Sequence, residues 1–317
     1  MVETPTTRDV HDFWNTQACG SHYVGAPRRT VKFYEEYRAF RYASEWHIPL
    51  IVPFKSAAGH TVLEIGCGNG ADAVSFAQAG ADYTGVDLTE EAVESTAEHL
   101  RLMNLPGRTL LADASNLPFE NSAFDLVYSH GVLHHMPDPR LGFAEVYRVL
   151  KPGGRALVML YHRSSFNYHI RIMAYMRLRL LLRILLRTGR WKRDRMTMEH
   201  GVVGLQGNSD RRIWDLHYRG FLRNGFGYLS RGQFVHHATD GPECPFAHVY
   251  TRREVGLLFS RFATLRFTVA HFPVRRFPLG RFVPIGIERL LARILGWYLF
   301  IDATKGVGEE RDETEKG

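Results

Sequence analysis

From Thr61 to His162 the chain alternates short apolar, β-branched runs with stretches of helical periodicity. The runs TVLEI (61–65), DYTGVD (82–87), RTLLAD (108–113), FDLVYSH (124–130) and RALVMLYH (155–162) read as strands. Between them, 70–79, 89–104 and 139–150 carry apolar residues at helical spacing. Buried strands joined by helices and short connections predict an α/β domain whose mostly parallel sheet has helices on both faces.

Outside this region the rhythm changes. Residues 8–50 read as helical, with Phe33, Tyr34, Tyr37, Phe40 and Arg41 at helix-like spacing and a stop before Pro49. Residues 164–195 form one long helical pattern. At 100° per residue, Arg179, Arg183, Arg187 and Arg190 fall on one narrow stripe of an otherwise apolar surface. Residues 200–250, rich in Gly, His, Asn and aromatics, read as an irregular insertion. Helix 251–260, strand 263–270, an amphipathic helix over 284–295 and strand 297–304 return to regular structure and bring the expected sheet to seven strands. The domain organisation expected is an N-terminal helical lid (1–55), a core (56–163), a basic helical and irregular insertion after the fifth strand (164–250), completion of the core (251–305) and a disordered acidic tail (306–317).

Charge sharpens this division. Residues 1–160 carry a net −6, residues 161–305 a net +16 and the tail a net −3, within +7 for the 317-residue chain. A basic C-terminal half suits nucleic acid, anionic lipid or an acidic small molecule, and composition does not choose among them. Cys19, Cys67 and Cys244 lie far apart without a CxxC pair, which argues against a disulfide framework or structural zinc and for a reducing compartment. The first residues lack a basic segment followed by an apolar core, and no stretch is long and apolar enough to span a bilayer, so the expected location is the cytoplasm.

The chemistry-bearing stretch is LEIGCGNG, residues 63–70, with Gly66, Gly68 and Gly70 between a strand and a helix. Such a turn lets the backbone approach a ligand closely and offers the free N–H groups of a helix N-terminus. The spacing G-x-G-x-G differs from the G-x-G-x-x-G of a dinucleotide fingerprint. Asp87 ends the second strand 17 residues after Gly70, where a carboxylate can bind two ribose hydroxyls. Asp113 and Ala114 end the third, placed to reach an adenine amino group.

With these residues in place, 60–162 resembles the class I S-adenosylmethionine-dependent methyltransferases. VLEIGCGNG resembles their first motif, GVDLT their ribose acid, LLADASNLPFENSAFDLVYSHGVLHHMPDP the adenine loop and fourth strand, and EVYRVLKPGGRALVML the helix, turn and fifth strand that follow. The similarity is greatest to the small-molecule branch that includes ubiquinone and menaquinone methyltransferases and many natural-product enzymes. It implies a Rossmann-like fold and S-adenosyl-L-methionine as cofactor, with S-adenosyl-L-homocysteine as product. The implied cofactor-binding residues are Glu64, Gly66, Cys67, Gly68, Gly70, Asp87, Leu88, Asp113, Ala114 and His130. The (Asp/Asn)-Pro-Pro-Tyr motif of amino-methylating DNA and RNA members is absent after the fourth strand, which argues against nucleic acid as acceptor.

The residues expected at the acceptor follow from the same layout. His134 and His135 come after the fourth strand, where a histidine can act as a base or pack on the adenosine, and Tyr161 and His162 end the fifth. Tyr23 and Cys19, in the N-terminal segment, are candidates to face the pocket; His236, His237 and Tyr250, in the insertion, are candidate substrate contacts. His236, His237, Asp240 and His248 lack the regular spacing of a zinc site, so no metal is expected. The arginine-striped helix is either part of a cap over the pocket or an interfacial helix with snorkelling arginines. Three readings follow: an O- or C-methyltransferase of a small-molecule acceptor in bacterial specialised metabolism, a membrane-peripheral enzyme acting on a quinone-like or lipid acceptor, and a non-catalytic cofactor-binding regulator. Oligomeric state stays open.

Overall fold

The computed structural model describes residues 5–17, 20–186, 209–274 and 280–307. Eight strands form one sheet: β1 (Thr61–Ile65), β2 (Asp82–Asp87), β3 (Arg108–Leu111), β4 (Phe124–His130), β5 (Leu150–His162), β6 (Val249–Tyr250), β7 (Thr264–Ala270) and β8 (Tyr298–Thr304). Their order is β3-β2-β1-β4-β5-β8-β7, with β6 alongside the end of β5. Strands β1 to β5 run parallel, and β8 is antiparallel to both β5 and β7. Chain order reverses between β1 and β4, and a crevice opens at the carboxyl ends of strands on either side of such a switch. One apolar cluster, built around Leu63, Val127 and Val158, fills one face of the sheet; a second, around Val62, Tyr128 and Leu157, fills the other. That placement explains why the core strands read as continuous apolar runs.

The expected helices of the core are found at α4 (Ala71–Gln78), α5 (Glu90–Leu102) and α6 (Pro139–Val149). Thr89 caps α5 by accepting from Ala92 N–H, and two glutamates stand in its first turn. Asp138 caps α6, and Pro139 occupies the first turn, where a missing N–H costs nothing.

The N-terminal stretch differs from a continuous helix. It consists of α1 (Thr7–Thr16), α2 (Val31–Ser44) and the short α3 (Ile48–Ile51). Gly20 in the left-handed region interrupts it, Arg29 also has a positive φ, and Thr30 caps a new helix. Helix α2 lies on α4 and α5: Tyr34 donates to the Ser95 carbonyl at 2.8 Å and stacks on His99, while Arg41 pairs with Asp72 at 2.7 Å.

The insertion is more regular than expected. A π-helical stretch, Asn167–Met176, leads into α7 (Arg177–Leu186), and the expected irregular region contains α8 (Ser209–Asn224) and α9 (Arg231–Thr239). Trp214, His217, Tyr218, Phe221 and Leu222 are buried along one side of α8, a helical period carried by aromatics and histidine rather than by aliphatic residues. They join Ile172, Leu180 and Phe234 in a small core that docks on Tyr161 and Trp297 of the main domain. The eighth strand, β6, was too short to give a period. Helices α10 (Arg252–Leu258), opened by a Thr251–Glu254 capping box, and α11 (Ile285–Leu295) complete the described fold.

The two described arginines of the stripe face α8. Arg179 lies 4.3 Å from the centre of the Trp214 ring, and Arg183 pairs with Asp215. Leu178, Leu182, Leu185 and Leu186 are the exposed leucines of α7. Arg187, Arg190, Cys19 and most of the acidic tail lie outside the described residues.

Candidate active site

The strand β1 ends at Ile65 and the chain turns through Gly66, Gly68 and Gly70, with φ of 87°, 55° and 74°. A side chain at Gly66 would run into Val132, and one at Gly70 would press on Thr96. Above Gly68 there is open space: a Cβ there would meet no heavy atom within 4 Å. The turn is therefore closed by the protein on two sides and left open on one.

Asp87 anchors it. One carboxylate oxygen accepts from Gly68 N–H at 3.2 Å; the other accepts from Thr89 N–H and the Thr89 hydroxyl at 3.1 and 2.9 Å. Burial pushes the Asp87 pKa up and these hydrogen bonds oppose the shift. Thr96 donates to the Gly68 carbonyl at 2.9 Å, so the turn is held from α5 as well. Leu88 is half-buried between Asp87 and Thr89. Asp113 lies two residues past β3 and accepts from Ser115 N–H at 2.8 Å; Ala114 beside it is buried.

Two of the expected cofactor residues point into the protein. The Glu64 carboxyl accepts from the Tyr83 hydroxyl at 2.6 Å, and burial, with Asp72 nearby, holds its pKa well above the ordinary carboxylate range. Cys67 is buried, and burial raises its thiol pKa. His130 ends β4 with its ring against Tyr298 and Phe300, and burial lowers its pKa.

The acceptor-side candidates divide. His134, His135 and Tyr161 come together, with the His134 and Tyr161 ring centres 3.9 Å apart. Burial drives the His134 pKa well below its usual value, so this ring is neutral at pH 7. His135 Nδ1 donates to the Phe246 carbonyl at 2.6 Å, and Trp14 of α1 meets the same ring edge-on. The Tyr161 hydroxyl donates to Asp240 at 2.8 Å, and its ring stacks on Trp297. His162 lies apart: its Nδ1 donates to the Gly296 carbonyl at 3.2 Å, a packing contact.

The remaining candidates stand around this group or away from it. His236 is stacked on Phe246 beside it, whereas His237 stacks on Tyr228 inside the insertion. Tyr250 is in β6, packed on Phe143 in the main core. Tyr23 is largely exposed, stacked on Phe40. The grouping adds three residues that the sequence did not single out as site members: Trp14, Asp240 and Cys244. The last two belong to DGPECP, a loop whose chemistry shows only once Asp240 is seen beside the end of β5.

The sheet order and the glycine turn at the switch point define the class: a Rossmann-like nucleotide-type binding fold. Residues 63–158 match the family described as Methyltransferase domain. Over 101 residues the chain is 39% identical to 27-O-demethylrifamycin SV methyltransferase of Amycolatopsis mediterranei, covering 31% of this chain and 37% of that protein. Over 121 residues it is 36% identical to ubiquinone biosynthesis O-methyltransferase of Methylococcus capsulatus, covering 37% and 50%. The chain thus spans half or less of the length of these curated relatives. A solved SAM-dependent methyltransferase from Methanosarcina mazei, 21% identical, superposes with a TM-score of 0.50 over 82% of this chain and 98% of its own, a likeness of fold.

Proposed function

We propose that the chain transfers a methyl group from S-adenosyl-L-methionine to a small-molecule acceptor, by O- or C-methylation. The observation that carries this reading is the open space above Gly68, whose N–H is held by Asp87 at the end of β2, with Asp113 just past the neighbouring strand β3. These residues fit the cofactor: an open backbone face at Gly68, an acid beside it and a second acid just past the next strand. When bound, the cofactor supplies a methyl carbon on a sulfonium.

The chain's own part is alignment and exclusion of water. Gly66–Gly70 and Asp87 orient the donor. Trp14, His134, His135 and Tyr161 pack together with the insertion core behind Tyr161, and we assign the acceptor side to this cluster. His134 is neutral, and because burial drives its pKa down it is a poor proton acceptor, so the reading rests on alignment of donor and acceptor rather than on this ring as a base. The specialised-metabolism setting is supported by the rifamycin relative.

Calorimetry with S-adenosylmethionine and S-adenosylhomocysteine, followed by transfer assays on phenols, carboxylic acids, thiols and quinones, tests the reading. Binding of both ligands, weakened by Asp87→Ala, and turnover on one acceptor class are expected. Absence of binding to the wild-type chain would falsify it.

One observation favours a membrane-peripheral variant of the same activity. Leu178, Leu182 and Leu186 are exposed along α7, beside a groove of about 550 Å³ that Tyr175 and Trp214 also line. Among the described residues no helix is long and apolar enough to cross a membrane. Contact would therefore be lateral, through leucines rather than through Arg179 and Arg183, whose side chains are engaged with α8. Co-sedimentation with vesicles containing anionic phospholipid, lost on Leu178→Asp with Leu182→Asp, is the expected result; equal sedimentation of the double variant would remove this variant of the reading.

A further inference from the structure

His135 belongs to the segment after β4, whereas Asp240 and Cys244 come from the loop between α9 and β6, more than a hundred residues later. The fold brings them together: one donor atom from each lies within 4.8 Å of the others. None of the three is fully spoken for.

The hydrogen bonds define which atoms are free. A carbonyl only accepts, so the 2.6 Å contact between His135 Nδ1 and the Phe246 oxygen requires a proton on Nδ1. In the neutral ring that leaves a lone pair on Nε2. This atom faces Asp240 Oδ2 at 3.6 Å, and both are buried without a hydrogen-bond partner among the described residues. The other Asp240 oxygen is occupied by the Tyr161 hydroxyl at 2.8 Å. Two buried lone-pair acceptors facing each other repel unless a proton or a cation stands between them. A shared proton would account for the histidine and aspartate alone. The nearby Cys244 Sγ, 3.9 Å from the ring's Nδ1 and fully buried, adds the soft donor of a metal set.

We propose that His135 Nε2, Asp240 Oδ2 and Cys244 Sγ form a binding site for a zinc-class divalent cation. Nitrogen, oxygen and sulfur in one set suit zinc, and three protein ligands leave one tetrahedral position for water or another oxygen or sulfur ligand. The ligands are already held in place: the Phe246 carbonyl fixes the histidine tautomer, and the Tyr161 hydroxyl orients the carboxylate. On binding, the Cys244 thiol loses its proton to solvent and the thiolate donates its electron pair to the cation, with no change of oxidation state. A cation held by Nε2 and Oδ2 draws the sulfur in to a bonding distance of about 2.3 Å. The site does not depend on the methyl-transfer reading, because no atom of the glycine turn takes part.

Cobalt(II) added to the metal-stripped full chain is the test. The expected result is a thiolate-to-cobalt charge-transfer absorption with tetrahedral visible bands, saturating at one cation per chain and displaced by zinc. Cys244→Ser should lose the charge-transfer band, Asp240→Asn should weaken binding, and Tyr161→Phe should raise the Kd about tenfold by loosening the carboxylate. If Cys244→Ser does not fold, the wild-type spectrum and Tyr161→Phe still decide. No charge-transfer band on the wild-type chain overturns the site, as does a band that survives in folded Cys244→Ser. So does a ring nitrogen spectrum in which His135 stays protonated on both nitrogens in the presence of zinc, which assigns the gap to a shared proton.

Discussion

Gly68→Ala is expected to raise the Kd for S-adenosylmethionine about a hundredfold, or some 2.7 kcal/mol, while leaving the chain folded. The new methyl group meets no protein atom within 4 Å, so the fold bears only the cost of an alanine at φ 55°, about 1–2 kcal/mol. A ligand lying over the turn would meet that methyl directly. Gly66→Ala gives the contrast, because its methyl group enters the Val132 side chain and the loss appears first as stability. Calorimetry and thermal melts on both variants separate the two effects. A Gly68→Ala chain that binds as tightly as the parent would mean that the cofactor does not pass over this turn.

The second large effect is loss of the insertion core in mild acid. His217 is buried and His237 and His248 are half-buried, and desolvation lowers the pKa of each to about 4. In the unfolded chain a histidine titrates near 6.5, so below that pH the unfolded state takes up protons that the folded state refuses. Stability is therefore fully present above about pH 6.5 and falls until pH 4, by up to about 3 kcal/mol for each group. The sum is comparable with the whole stability of a typical domain, about 5–15 kcal/mol. His47 and His99, lowered to about 3 and about 4, act in the same direction on the main domain. Glu45 and Asp125, both held near 2, add their losses only below the carboxylate range. Fluorescence of Trp214 and Trp297, in the insertion core, should change between pH 6.5 and 4. Stability that stays flat over this interval, measured by urea titration, would contradict the burial of these rings.

The main sheet was legible because its strands are buried on both faces and bounded by glycine, proline or acidic turns. Strands 61–65, 82–87 and 124–130 stand where their apolar runs end, and Thr89 and Asp138 open helices where capping chemistry places them. The glycine turn was legible for the same reason: positive φ at three alternating positions demands glycine. What escaped was of two kinds. Helix α8 buries Trp214, His217 and Tyr218, residues that count as polar or ambiguous in a hydrophobic pattern. The proximity of Asp240 and Cys244 to His135 is a product of tertiary folding across more than a hundred residues, and no local period carries it. The direction of the arginines on α7 was also beyond periodicity, because a stripe defines a face of the helix and Asp215 and Trp214 decide what that face meets.

The insertion leaves the sheet after His162 and returns through β6, whose Val249 and Tyr250 pair with Tyr161 and His162. Arg163 N–H donates to the Tyr250 carbonyl at 2.8 Å, so the excursion begins and ends at one point. Such a pinched base makes length cheap: doubling a loop whose ends are already fixed costs only about 0.6 kcal/mol of closure entropy. The chain can therefore exchange, shorten or extend everything between Arg163 and Val249 without re-threading the strands that hold the glycine turn. The glycine turn and the insertion are thus structurally separable parts of one polypeptide, and a graft at this neck is the natural route to changing one without the other.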